Sequence, residues 1–123
     1  MTQQISAVDN HRLDPAELTV LRARLHEDRL FRRQQLQDIA QGANDPVETT
    51  YAADLAAHSE IRHKLTVAAQ TALAETEAAL ARMDAGRYGG CGRCGRTISI
   101  QCLTVHPQAR YCTPCHHFLE TQR

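Results

Sequence analysis

The chain has 123 residues and a formal net charge of zero, with no Trp, two Phe and three Tyr. That length suits one compact domain or a small module with an extension, and so few aromatics exclude a large globular core. Charge is spread unevenly, −4 over residues 42–85 and +4 over 86–123, but no concentrated basic face of the kind that grips duplex DNA is present. Residues 1–13 carry no periodicity and read as a flexible N-terminal arm. The arm lacks the charged-then-apolar pattern of a signal peptide. No run approaches the 18 or so apolar residues of a membrane span, so the expected compartment is the cytoplasm, with no membrane partner.

Helical signals begin at Asp14. Asp14, Pro15 and Glu17 supply an N-cap, a proline at the first helical position and the acid of a capping box. Leu18, Leu21 and Leu25 follow at three- and four-residue steps, and Leu36 and Ile39 resume the stripe. Gly42 and Asn44 mark a stop near Gln41. Asp45-Pro46-Val47-Glu48 repeats the same start signal, and neither Pro nor Gly recurs until Gly86. The second helix therefore extends toward residue 85, with Leu55, Leu65, Ala69, Ala72, Leu80 and Met83 on an approximate heptad seam. Two long helices joined by so short a link lie antiparallel, over residues 14–85 with a tip at about 42–50. His58 and Arg62 fall on the seam near that tip. The pattern is polar toward the tip and apolar toward the base, as suits a probe that enters a wet space.

The C-terminal segment 86–123 holds the chemistry. Cys91-x-x-Cys94 and Cys112-x-x-Cys115 stand 17 residues apart as two matched pairs. Each pair forms a tight knuckle that aims two sulfurs at one point, the pattern of a tetrahedral zinc site. Gly92 and Gly95 suit knuckle turns that need a positive φ. Two disulfides are the alternative pairing, and the cytosolic character of the chain argues against them. Four thiolates close the coordination shell, so one Zn²⁺ here is structural and not catalytic. Thr97 to Ile100 alternates as a short strand. His116 to Arg123 suits a last short helix whose Phe118 and Leu119 pack on the hairpin base. The fold class is thus mainly α: a long antiparallel coiled-coil hairpin bearing a small four-cysteine zinc-ribbon head.

Long antiparallel helices leading into C-x2-C-x17-C-x2-C resemble the DksA/TraR family of C4 zinc-finger transcription regulators. The specific stretches are Gly86-Arg-Tyr-Gly-Gly-Cys91-Gly-Arg-Cys94-Gly, Leu103-x-x-x-Pro107 and Tyr111-Cys112-x-x-Cys115. The resemblance implies a non-enzymatic protein that binds RNA polymerase directly and places its coiled-coil tip in the secondary channel, modulating initiation without recognising a DNA sequence. It also implies coupling to the alarmone ppGpp, the signal of the stringent response. The family's tip reads Asp-Pro-Val-Asp-x-Ala; here Asp45 and Glu48 keep the acids, and Thr50 replaces the Ala. Asp45 and Glu48 are equally accounted for as a capping box.

Further residues fit less specific roles. Arg87, Arg93, Arg96 and Arg110 suit a docking face for an acidic polymerase rim or a nucleotide, or plain solvated charge. Cys102 has no paired neighbour and suits a small packing residue or a thiol sensor. His106, His116 and His117 lie near enough to replace a cysteine ligand, although four thiols already suffice. Competing functions are a zinc-ribbon nucleic-acid binder, a coiled-coil adaptor for another partner, and a dithiol oxidoreductase using Cys91-x-x-Cys94. The last lacks a βαβ pattern.

Overall fold

The computed structural model describes residues 13–43 and 52–122. Among the described residues there are four helices: α1 (Pro15–Ala43), α2 (Ala52–Asp84), α3 (Ile100–Val105) and α4 (Thr113–Thr121). Among the described residues there is no strand, only an isolated antiparallel bridge between Gly90 and Thr97. Of the expected arm over 1–13, residues 1–12 lie outside the described residues, as do the tip residues Asp45, Glu48 and Thr50, while Leu13 packs against the core.

α1 starts where its sequence signals place it. The Glu17 amide donates to Asp14 Oδ1 at 2.7 Å, and the Asp14 amide donates to Glu17 Oε1 at 3.0 Å. This reciprocal pair satisfies two amides that a helix start leaves without partners. At the far end of α2, Gly86 adopts φ 73°. The amides of Gly86 and Arg87 reach back to the carbonyls of Met83 and Arg82 at 3.1 and 2.8 Å. That is a Schellman closure, and it turns the chain sharply from the hairpin into the head.

The helices are antiparallel, since ion pairs join Arg22 to Asp84 and Arg33 to Glu77 in opposing order. α1 alone, with 29 residues, is about 43 Å long at 1.5 Å per residue. Burial along it is uneven. Leu21, Leu25, Ala79, Leu80 and Met83 form one cluster with Ile98, Leu103, Cys91 and Cys115 of the head. Ala69 is buried farther along. Leu65 departs from its expected seam position, being 50 % exposed, while Thr76, which the apolar pattern skips, is 1 % exposed. Two helices alone cover only part of a side chain that points between them. Where the head adds a third wall, even a threonine on the seam is sealed.

The head is fastened to the hairpin by polar groups as well. Gln108 Nε2 donates to Asp28 Oδ2 on α1 at 2.9 Å and to Thr76 Oγ1 on α2 at 3.2 Å. Thr76 in turn donates its hydroxyl to the Ala72 carbonyl. Arg24 donates to the carbonyls of Thr104 and Val105, which end α3. Arg82 reaches the carbonyls of Gln108 and Ala109, and Tyr88 donates its hydroxyl to Pro107 O at 2.9 Å. Burial pushes the Tyr88 phenol up to about 12, against the opposing pull of Arg82 and Arg24, so it stays a donor.

Two expectations for the secondary structure of the head need correction. Thr97 to Ile100 is not a strand. Only Thr97 takes part in a bridge, and α3 begins at Ile100, where Ser99 Oγ caps the Cys102 amide at 3.2 Å. The last helix starts at Thr113 and not at His116, because Cys112 takes extended N-cap geometry and Pro114 sits in the first turn.

Candidate metal centre

The two knuckles are built differently. In the first, the Gly95 amide returns to the Cys91 carbonyl at 3.0 Å, and Gly95 takes φ 77°. Amides of Arg93 and Arg96 point at the sulfurs of Cys91 and Cys94, each at 3.4 Å. The Cys91 amide donates to Arg96 O at 2.7 Å, closing the loop. The second knuckle is the first turn of α4, with Cys112 as N-cap and Cys115 one turn in. Gly92 joins them, its amide donating to Arg110 O at 2.8 Å. Gly92 does not use a positive φ as expected. A Cβ there would lie 3.4 Å from the Tyr111 ring, an ordinary van der Waals contact, so nothing in the structure explains the glycine.

These turns gather the sulfurs of Cys91, Cys94, Cys112 and Cys115 within 4.8 Å of one another. The Cys94 and Cys112 sulfurs are 3.7 Å apart. A tetrahedron with Zn–S bonds of about 2.3 Å has sulfur–sulfur edges of about 3.8 Å, whereas a disulfide needs about 2.0 Å. All five cysteines are free thiols. Distance and donor set both fit zinc, with Cys91 and Cys115 buried, Cys112 half-buried and Cys94 at the surface.

The electrostatics of the cluster call for a cation. Burial opposes ionisation of Cys91, but hydrogen bonds from the amides of Cys94, Cys112 and Arg93 outweigh it and bring the thiol down to about 6. Cys112 goes the other way, pushed up to about 12 by burial and by the neighbouring thiols. One sulfur ionises readily and the next resists, as expected of like charges sharing a small site. A dication relieves that repulsion and lets all four act as thiolates. With four protein donors no position remains for a substrate.

Among the described residues, no histidine joins the cluster. His116 and His117 face Glu120 instead, at 2.9 and 3.9 Å. Cys102 is half-buried against the core and fills space there. The four head arginines are exposed at the residue level, yet two have internal partners. Arg93 lies 3.8 Å over the Phe118 ring, and Arg110 lies 5.6 Å from the Tyr111 ring. Phe118 does not pack on the hairpin base as expected. It is 43 % exposed and lies beneath Arg93.

No family model matches the chain. An uncharacterized protein of Aquifex aeolicus is 26 % identical over 101 residues, spanning 82 % of this chain and 70 % of that protein. The structure of transcription factor DksA2 from Pseudomonas aeruginosa superposes with a TM-score of 0.76 over 98 % of this chain and 95 % of the other, at 24 % identity. The chain has the DksA fold. The likeness extends over both hairpin and head, and the four-thiol cluster lies where the hairpin hands over to the head. No described helix is long and apolar enough to cross a membrane.

Proposed function

We propose that this chain is a non-enzymatic DksA-like transcription regulator. It binds RNA polymerase directly in the cytoplasm and inserts its coiled-coil tip into the secondary channel. There it modulates initiation in concert with ppGpp. The observation that carries this reading is the likeness, over nearly the whole length of both chains, to a solved transcription factor of the same hairpin-and-head design. In this reading Asp45, Glu48 and Thr50 form the acting tip. Arg87 and Arg96 are the head arginines best able to meet the polymerase rim, since Arg93 and Arg110 make cation–π approaches to rings of their own head, at 3.8 and 5.6 Å.

The surface of the hairpin supports a protein partner over a nucleic acid. Leu30, Phe31, Ile61 and Leu65 are each at least half exposed along its length. Apolar side chains on a slender hairpin suit a shaped protein channel better than a phosphate backbone.

The test is competition for RNA polymerase core between the zinc-loaded chain and a Gre-type secondary-channel factor. Mutual exclusion at micromolar protein is the expected result, with Glu48→Ala and Thr50→Ala changing the effect on initiation and not the binding. Simultaneous binding of both factors, or affinity only for bare DNA that falls steeply with salt, would refute the reading.

A further inference from the structure

Arg93 belongs to the first knuckle, between Cys91 and Cys94, but its side chain serves the second. Its guanidinium Nη1 donates to Cys115 Sγ at 3.5 Å. The central carbon of the same guanidinium sits over the Phe118 ring, 3.8 Å from its centroid. Its backbone amide donates to Cys91 Sγ at 3.4 Å. One residue thus touches two of the four sulfurs, and they are the two buried ones.

The chemistry explains the residue type. Four thiolates around a dication leave an excess of about two negative charges. Cys115 carries its share in a nearly dry place, 4 % exposed, within the apolar core. A charged N–H donor disperses that excess better than a neutral one. The guanidinium plane also lets one face stack on a ring while an in-plane N–H points elsewhere. Lys has a single ammonium head and cannot do both. Cys115 and Phe118 are three residues apart on α4, so they lie on one face of that helix and present sulfur and ring together. Phe118, otherwise an unexplained aromatic at the surface, is the platform.

We infer that Arg93 is a positioning residue for the metal centre, an outer-sphere clamp that locks the second knuckle to the first and holds zinc in place. This rests on the zinc site and is independent of the polymerase reading. It takes Arg93 away from the docking face.

The full-length, zinc-loaded protein provides the test. The rate of zinc transfer to an excess of chromogenic chelator is measured at one fixed pH for wild type, Arg93→Ala, Arg93→Lys and Phe118→Leu. Outer-sphere partners are typically worth about 10- to 100-fold in metal affinity. Arg93→Ala is therefore expected to release zinc about tenfold faster or more. Arg93→Lys and Phe118→Leu should fall between it and wild type. Cobalt(II)-substituted protein gives a second readout: loss of the N–H···S bond shifts the thiolate-to-metal charge-transfer band in Arg93→Ala, which a purely structural brace would leave alone. Wild-type release rates and an unshifted band in Arg93→Ala would overturn the clamp. If Arg93→Ala takes up no metal, the milder variants decide, and wild-type rates in both would overturn it. A wild-type chain that binds no zinc would sink the metal centre along with it.

Discussion

Leu25 and Leu65 both sit at positions that the apolar spacing assigns to the helix interface, yet Leu25 is fully buried and Leu65 is half exposed. The difference is the number of walls. Around Leu25 the head contributes Ile98 and Leu103, so each seam residue of the hairpin meets helix on one side and head on the other. Leu65 belongs to no such cluster among the described residues, and the apolar residues of the distal half of α1, Leu36 and Ile39, are themselves only half-buried. One helical pair therefore has a base that behaves like a globular core and a distal part that behaves like an isolated coiled coil. The distal part is held by helix propensity and by surface pairs such as Lys64 with Glu60 and Gln34 with Asp38. Pairs of that kind contribute a few tenths of a kcal/mol each.

That contrast can be broken by paired substitutions. Leu25→Ala should destabilise the protein by about 2–5 kcal/mol, the usual result of a cavity in a closed core. Leu65→Ala should change stability by less than about 0.5 kcal/mol, as for an ordinary surface site. Equal costs in thermal or denaturant unfolding would show that the distal seam is packed as tightly as the base. A smaller effect sharpens the role of the head. Gln108→Ala removes the side chain that spans Asp28 and Thr76, and should cost about 1 kcal/mol. Combined with Thr76→Val it should show coupling in a double-mutant cycle. Strict additivity would mean that the 3.2 Å contact between Gln108 and Thr76 contributes nothing.

What was legible in the sequence follows the same division. Local signals read correctly: the Asp14–Glu17 capping box, the Leu18–Leu21–Leu25 stripe, the glycine stop at Gly86 and the cysteine spacing are each decided within a few residues. The misreadings came where neighbours distant in sequence decide. Thr76 is polar, and its burial is satisfied by the Ala72 carbonyl one turn back and by Gln108, 32 residues on, which no local pattern announces. Leu65 has the right spacing but no third wall. Thr97 to Ile100 has β-branched alternation, and Ser99 as N-cap three residues before the Cys102 amide was the signal for α3 that alternation masked. Arg93 looked like a surface charge because its partners, Cys115 and Phe118, come from the other knuckle.

The most direct test of the two-part account is hydrogen exchange on the full chain before and after chelation, alongside circular dichroism. Zinc holds the head, and the head walls the base, so removing zinc should strip protection from residues 91–121 and lower it across 21–25 and 79–83. Amides over 33–41 and 62–70 should exchange as before. The head helices hold 6 and 9 residues against 29 and 33 in the hairpin, so about a fifth of the helical signal should disappear. A base whose protection ignores the metal, or a hairpin that melts entirely with it, would contradict the account.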